Sequence, residues 1–136
     1  MSTLTGTLVD LSTIVGRIVA ALRQELQHSQ ASFARELAID RSLLARIESG
    51  RNTATIDNVF LIEEAFIQAR VIRAHGDLTL LAARAVREIK QRGGRAMYGN
   101  LPKPEGDAPL ETAALDRIVA LVVDGWLQEL AEGRRS

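Results

Sequence analysis

Apolar residues recur at intervals of three and four along most of the 136-residue chain. Leu8, Leu11, Val15, Ile18, Leu22 and Leu26 make one stripe of a first helix, with Gly16 interrupting its polar side. Ser29 is placed to cap a second helix through Leu37. Asp40 is placed to cap a third, ending near Ser49, where Gly50 supplies a left-handed stop. Thr55 or Asp57 opens a fourth through Phe66, reaching toward Arg70. After His75-Gly76-Asp77, a long helical stretch runs from Leu78 to about Arg92 and closes at Gly93-Gly94. Residues 93–109 hold all three prolines and four glycines, a loop or linker. From Leu110 to Ala131 a last helix carries Leu115, Ile118, Val119, Val122, Trp126 and Leu130 on a stripe broadened by Leu121, Val123 and Leu127. So broad a stripe needs cover on more than one side. Alternation of period two is nowhere sustained and no repeat is present. The pattern predicts an all-α fold.

Composition narrows the class. Hydrophobic residues at 46% and charged residues at 25% are a globular balance, so most of the chain is expected to be ordered. Without cysteine there are no disulfides, thiolate metal sites or cysteine nucleophiles. No apolar run approaches ~20 residues and no signal-peptide pattern opens the chain, so a soluble cytoplasmic protein is expected, with no membrane association. Seventeen basic and seventeen acidic residues cancel, yet residues 70–95 carry a net +5. His28 and His75 are the only histidines; no His-x-x-x-His pair, glycine-rich phosphate loop or serine elbow accompanies them. The expectation is a protein without enzymatic activity, cofactor or metal. Glu63, Glu64 and Asp57 read as the solvated edge of their helix, and His75 as a turn residue.

The informative stretch runs from Arg23 to Phe66. Two short helices joined by a tight turn, the second ending in glycine and followed by a third apolar helix, follow the pattern of a helix-turn-helix. Phe33, Ala34 and Leu37 face inward from the first of the pair, Ile39 fills the turn, and Leu44 and Ile47 anchor the second. With Gln30, Phe33-Ala34, Leu37-Ala38-Ile39, Ile47-Glu48 and Gly50-Arg51 in register, the segment resembles the Cro/CI (Xre) class of helix-turn-helix DNA-binding domains. It departs in having Phe33 for a usual Leu, Ala38 where the turn often has Gly, and Ala54 where Pro is common. The resemblance covers about 50 of the 136 residues.

The resemblance implies a lambda-repressor-like five-helix domain over residues 1–75, with its motif core at 18–70. A helical C-terminal assembly region at 76–136 would follow. The second helix of the pair would lie in the major groove, with Arg41, Ser42, Ala45 and Arg46 facing outward. Arg41 and Arg46 can each present a bidentate fork to guanine, worth ~1–3 kcal/mol of discrimination. Gln30 sits at a helix N-terminus suited to phosphate and to bracing the first residue of the recognition helix. Arg51, Asn52 and Thr53 would clamp the DNA backbone. Arg23 and Glu48 resemble the family's structural ion pair.

Outside the motif, Arg84, Arg87, Lys90, Arg92 and Arg95 either extend a DNA footprint or complement the acidic C-terminal segment, and the second reading is favoured. The stripe of the last helix is assigned to a homodimer interface through Leu115, Ile118, Val119, Val122, Trp126 and Leu130, or else to cover of the chain's own core. Leu4, Leu8 and Leu11 offer a second place for partner contact. The expected function is that of a sequence-specific regulator, most simply a repressor, binding a palindromic operator in double-stranded DNA as a homodimer. One alternative is an antitoxin that grips a toxin through its C-terminal helix and represses its operon. Another is an interaction or assembly protein on the same fold without DNA binding.

Overall fold

A computed structural model describes residues 3–97 and 105–135. The order of elements is β1 (Thr7–Asp10), α1 (Leu11–Glu25), α2 (Gln30–Leu37), α3 (Arg41–Ser49), α4 (Ile56–Gln68), α5 (Asp77–Gln91), β2 (Arg95–Met97), β3 (Ala108–Pro109) and α6 (Thr112–Arg135). Among the described residues the fold is all-α apart from three short strands.

α1 is the central element. It buries Ile14, Ile18 and Leu22 and packs against α3, α5 and α6. Phe33 of α2 stacks on Phe66 of α4 with ring centroids 5.2 Å apart, joining the two short helices to the fourth. One hydrophobic cluster runs from Leu4 to Leu130, so the expected boundary near residue 75 divides no core. Helices α1 to α4 lie within 1–75, and α5 falls beyond it.

The start of the chain departs from the helical stripe. Leu8 and Val9 are extended in β1, and α1 begins only at Leu11 after Asp10. β1 lies between two parallel partners, in the order β2-β1-β3, with Leu8 opposite Arg95 on one side and opposite Pro109 on the other. Proline is tolerated there because β3 is an edge strand. The glycine- and proline-rich segment read as linker therefore contributes strands from both its ends. Leu4 and Leu8 are buried, and Leu11 is half-buried at the start of α1.

The stripe of α6 is likewise turned inward. Leu115, Ile118, Val119, Val122, Trp126 and Leu130 are all buried within the chain's own core, where α6 packs on α1 and α5. Trp126 Nε1 donates to the Val71 carbonyl at 2.8 Å, and the Arg84 guanidinium lies 5.1 Å from its ring centroid. Arg84 also pairs with Glu129, holding that carboxyl below its ordinary range, and Arg17 of α1 pairs with Asp116 at 2.8 Å. A helix with apolar positions on this broad a stripe is satisfied here by two neighbours of the same chain. No helix among the described residues is long and apolar enough to cross a membrane.

Candidate nucleic-acid interface

α2 and α3 are short, and their geometry is set by local chemistry at each end. Ser29 caps α2 by accepting from the Ser32 N–H at 3.0 Å. The turn between them is made by Ala38 in the left-handed region at φ +58°, an uncommon conformation for a residue with a Cβ. Ile39 N–H then donates back to the Ala34 carbonyl. Asp40 precedes α3 in extended conformation but makes no side-chain capping bond. Gly50 ends α3 at φ +79°.

One face of α3 is buried and the other is bare. Leu44, Ile47 and Glu48 are covered, whereas Arg41, Ser42 and Arg46 are exposed and Ala45 is half-buried. Glu48 is only 2% exposed, and its charge is answered in full. Arg23 of α1 donates from Nε and Nη2 to its two oxygens at 2.7 and 2.9 Å, a bidentate pair. The third arm of Arg23 reaches the His28 carbonyl at 2.7 Å, and Gln30 Nε2 donates to Glu48 at 2.9 Å. The start of α2, the end of α1 and the last turn of α3 are thus tied through one carboxylate. Gln30 braces Glu48 of the recognition helix, not its first residue.

The remaining expected residues lie in the loop after α3. Arg51 and Thr53 are exposed, and Asn52 is half-buried. His28 is half-buried, and its ring meets Ser32 Oγ at 2.8 Å and Glu36 at 3.1 Å. In the basic segment, Arg84, Arg92 and Arg95 pair with Glu129, Glu88 and Asp107 respectively, and Arg87 and Lys90 are exposed. The first and third of these pairs join the basic block to the acidic C-terminal segment.

Two residues carry more than the sequence pattern signalled. Gly16 sits where α1 crosses the end of α3, so close that a Cβ built there would lie 2.1 Å from the Ile47 carbonyl oxygen. Its only sequence signal is a glycine amid β-branched residues inside a helix. Glu63, read as solvated edge, is 4% exposed. Its carboxylate accepts from the Gly76 and Leu78 N–H groups at 2.8 and 3.1 Å, closing the start of α5, where Gly76 has no side chain to do so. Beside it, His75 binds Glu64 at 2.5 Å and stacks on Phe60 at 4.3 Å. The Glu64 hydrogen bond, partly opposed by burial and aided by Glu63, raises the His75 pKa above its ordinary value.

Residues 19–67 match the Helix-turn-helix family. The matched segment takes in the C-terminal half of α1, all of α2 and α3, and nearly all of α4, the elements that the Arg23–Glu48–Gln30 cluster and the Phe33–Phe66 stack hold together. This segment is a helix-turn-helix domain of the Cro/CI (Xre) type, and the protein is a DNA-binding transcription regulator. No curated protein and no solved structure matches the chain.

Proposed function

We propose that the protein is a sequence-specific repressor that lays α3 in the major groove of an inverted-repeat operator and binds it as a homodimer. The observation that carries this reading is the two-faced α3. Its inner face is locked by Leu44, Ile47 and the Arg23–Glu48 pair, and its outer face presents Arg41, Ser42, Ala45 and Arg46 in a row. A rigid helix with guanidinium groups at its first and sixth positions suits base edges, since each fork matches guanine O6 and N7. Arg51 and Thr53, exposed after the helix, serve the phosphates and set register without reading sequence.

Occupying an operator is the simplest action, because nearly every helix is spent on one core. One such module buries little DNA surface, and two copies on two half-sites give the selectivity that a regulator needs. The second copy must use a surface other than the buried stripe of α6; exposed Ile56, Phe60 and Leu61 on α4 supply apolar area for it. Selection of bound duplexes from a random pool at ~150 mM salt tests the proposal, since phosphate attraction alone fades steeply with salt. The expected outcome is an inverted repeat with half-sites about one helical turn apart. Recovery of no preferred sequence would overturn it.

A further inference from the structure

What Arg46 can read depends on how its guanidinium is held before DNA arrives, and the loop after α3 supplies a hold. At Gly50 the chain turns back so that the N–H groups of Arg51 and Asn52 both donate to the Arg46 carbonyl, at 2.9 and 3.2 Å. The turn sets the Asn52 side chain beside that of Arg46. A carboxamide has an acceptor end and a donor end, and only one orientation suits this place. In it, Asn52 Oδ1 accepts from Arg46 Nε at 3.2 Å and Nδ2 donates to the Arg51 carbonyl at 3.2 Å. The reverse orientation would set donor against donor and acceptor against acceptor. Asn52 is half-buried in this position, whereas Arg46 is exposed.

The consequence lies in which edge of the guanidinium is left. With Nε–H committed to Asn52, the Nη1 and Nη2 groups remain, and among the described residues no acceptor holds them. That pair is the two-pronged end that matches guanine O6 and N7. Fixing Nε also removes part of the rotamer freedom that a long side chain otherwise loses on binding. We propose that Asn52 is a positioning residue that sets the base preference of Arg46, and that it is not a phosphate ligand. This rests on the reading of α3 as the groove helix.

The test compares wild type, Asn52→Ala, Asn52→Asp, Arg46→Ala and the Asn52→Ala/Arg46→Ala double variant, all as full chains. Two readouts are taken. One is the Arg46 Nε–Hε resonance of the free protein, and the other is relative affinity for the four base pairs at the position where Arg46→Ala loses preference. Asn52→Ala is expected to broaden or shift the Nε–Hε signal. It should also cut the guanine preference at that position about fivefold, the worth of one hydrogen bond. Other positions and the salt slope stay unchanged, and Arg46→Ala abolishes the effect. Asn52→Asp, which keeps the acceptor for Nε but sets an oxygen against the Arg51 carbonyl, should retain more of the signal and the preference than Asn52→Ala does. Equal weakening on every duplex with the salt slope reduced by about one would make Asn52 a phosphate ligand and overturn the proposal. So would additive losses in the double variant. If the wild type shows no base preference, the groove reading fails and the proposal with it. The resonance separates the two failures: altered by Asn52→Ala, it shows a hold without a reader, and unaltered, it shows no hold.

Discussion

Replacing Gly16 with alanine puts two helix rules in opposition. In an exposed helix interior, Gly→Ala stabilises by about 1 kcal/mol, because alanine has less backbone freedom to lose. At Gly16 the added Cβ would lie 2.1 Å from the Ile47 carbonyl oxygen, 2.8 Å from the Glu48 carbonyl oxygen and 2.9 Å from the Glu48 carbonyl carbon. All three are backbone atoms, so no side chain can swing away. Ordinary contact begins near 3.4 Å, and the end of α3 would have to retreat by about 1.3 Å. Overpacking of this kind costs about 1–3 kcal/mol, and backbone against backbone belongs at the upper end. Less the propensity gain, the net loss is about 2 kcal/mol, a fall in Tm of roughly 6–10 °C for a domain this size. The retreat also pulls Glu48 from Arg23, so DNA affinity should drop even where the variant is fully folded. Gly125 supplies the control: it is exposed within α6, and a Cβ there meets nothing within 4 Å. Gly125→Ala is expected to raise Tm by a few degrees. Thermal and urea denaturation of both variants decide the matter. A Gly16→Ala protein as stable as Gly125→Ala would refute the close crossing of α1 and α3.

Three further outcomes follow from the packing. Arg23→Ala strands a carboxylate that is 2% exposed, and is expected to cost about 3–5 kcal/mol in urea unfolding. Adding Glu48→Gln should recover part of this loss, and strict additivity would contradict the pairing. Trp126→Ala removes a buried ring together with its bond to Val71, a loss of about 3–5 kcal/mol. If that variant kept its stability while sedimentation showed a dissociated dimer, α6 would be an interface after all. His75 is held above its ordinary pKa of about 6.5 by Glu64 and Glu63, so the folded state favours the protonated ring. Its contribution is complete below about pH 6.5 and is lost as pH rises through the raised value. His75→Gln should flatten that part of the Tm profile, and an NMR titration giving a value at or below 6.5 would contradict the Glu64 contact.

The helix-turn-helix was legible because its signals are local. Ser29 caps where the spacing placed it, Thr55 is the one of the two expected residues that caps α4, Gly50 stops α3, and Leu44 and Ile47 point inward from one short helix. β1 was not legible, since Leu8 and Leu11 satisfy a helical period as well as Leu8 and Val9 satisfy a buried strand. What decides is pairing with residues 95–97 and 108–109, nearly ninety or more positions away, which leaves no local trace. The stripe of α6 showed that the helix would be covered but not by what, because an apolar face reads alike whether its partner is the same chain or another. Gly16, Glu63 and Asn52 were obscure for a related reason. Each acts through a neighbour that only the folded chain supplies: the Ile47 carbonyl, the start of α5 and the Arg46 guanidinium.

The central claim is that the outer face of α3 meets the bases. The most direct measurement is backbone amide mapping by NMR as a selected duplex is added to the full chain. The largest shifts are expected at Gln30, at Arg41, Ser42, Ala45 and Arg46, and over residues 51–53, with α6 little changed. Shifts concentrated on α4 or α6, with α3 silent, would contradict it.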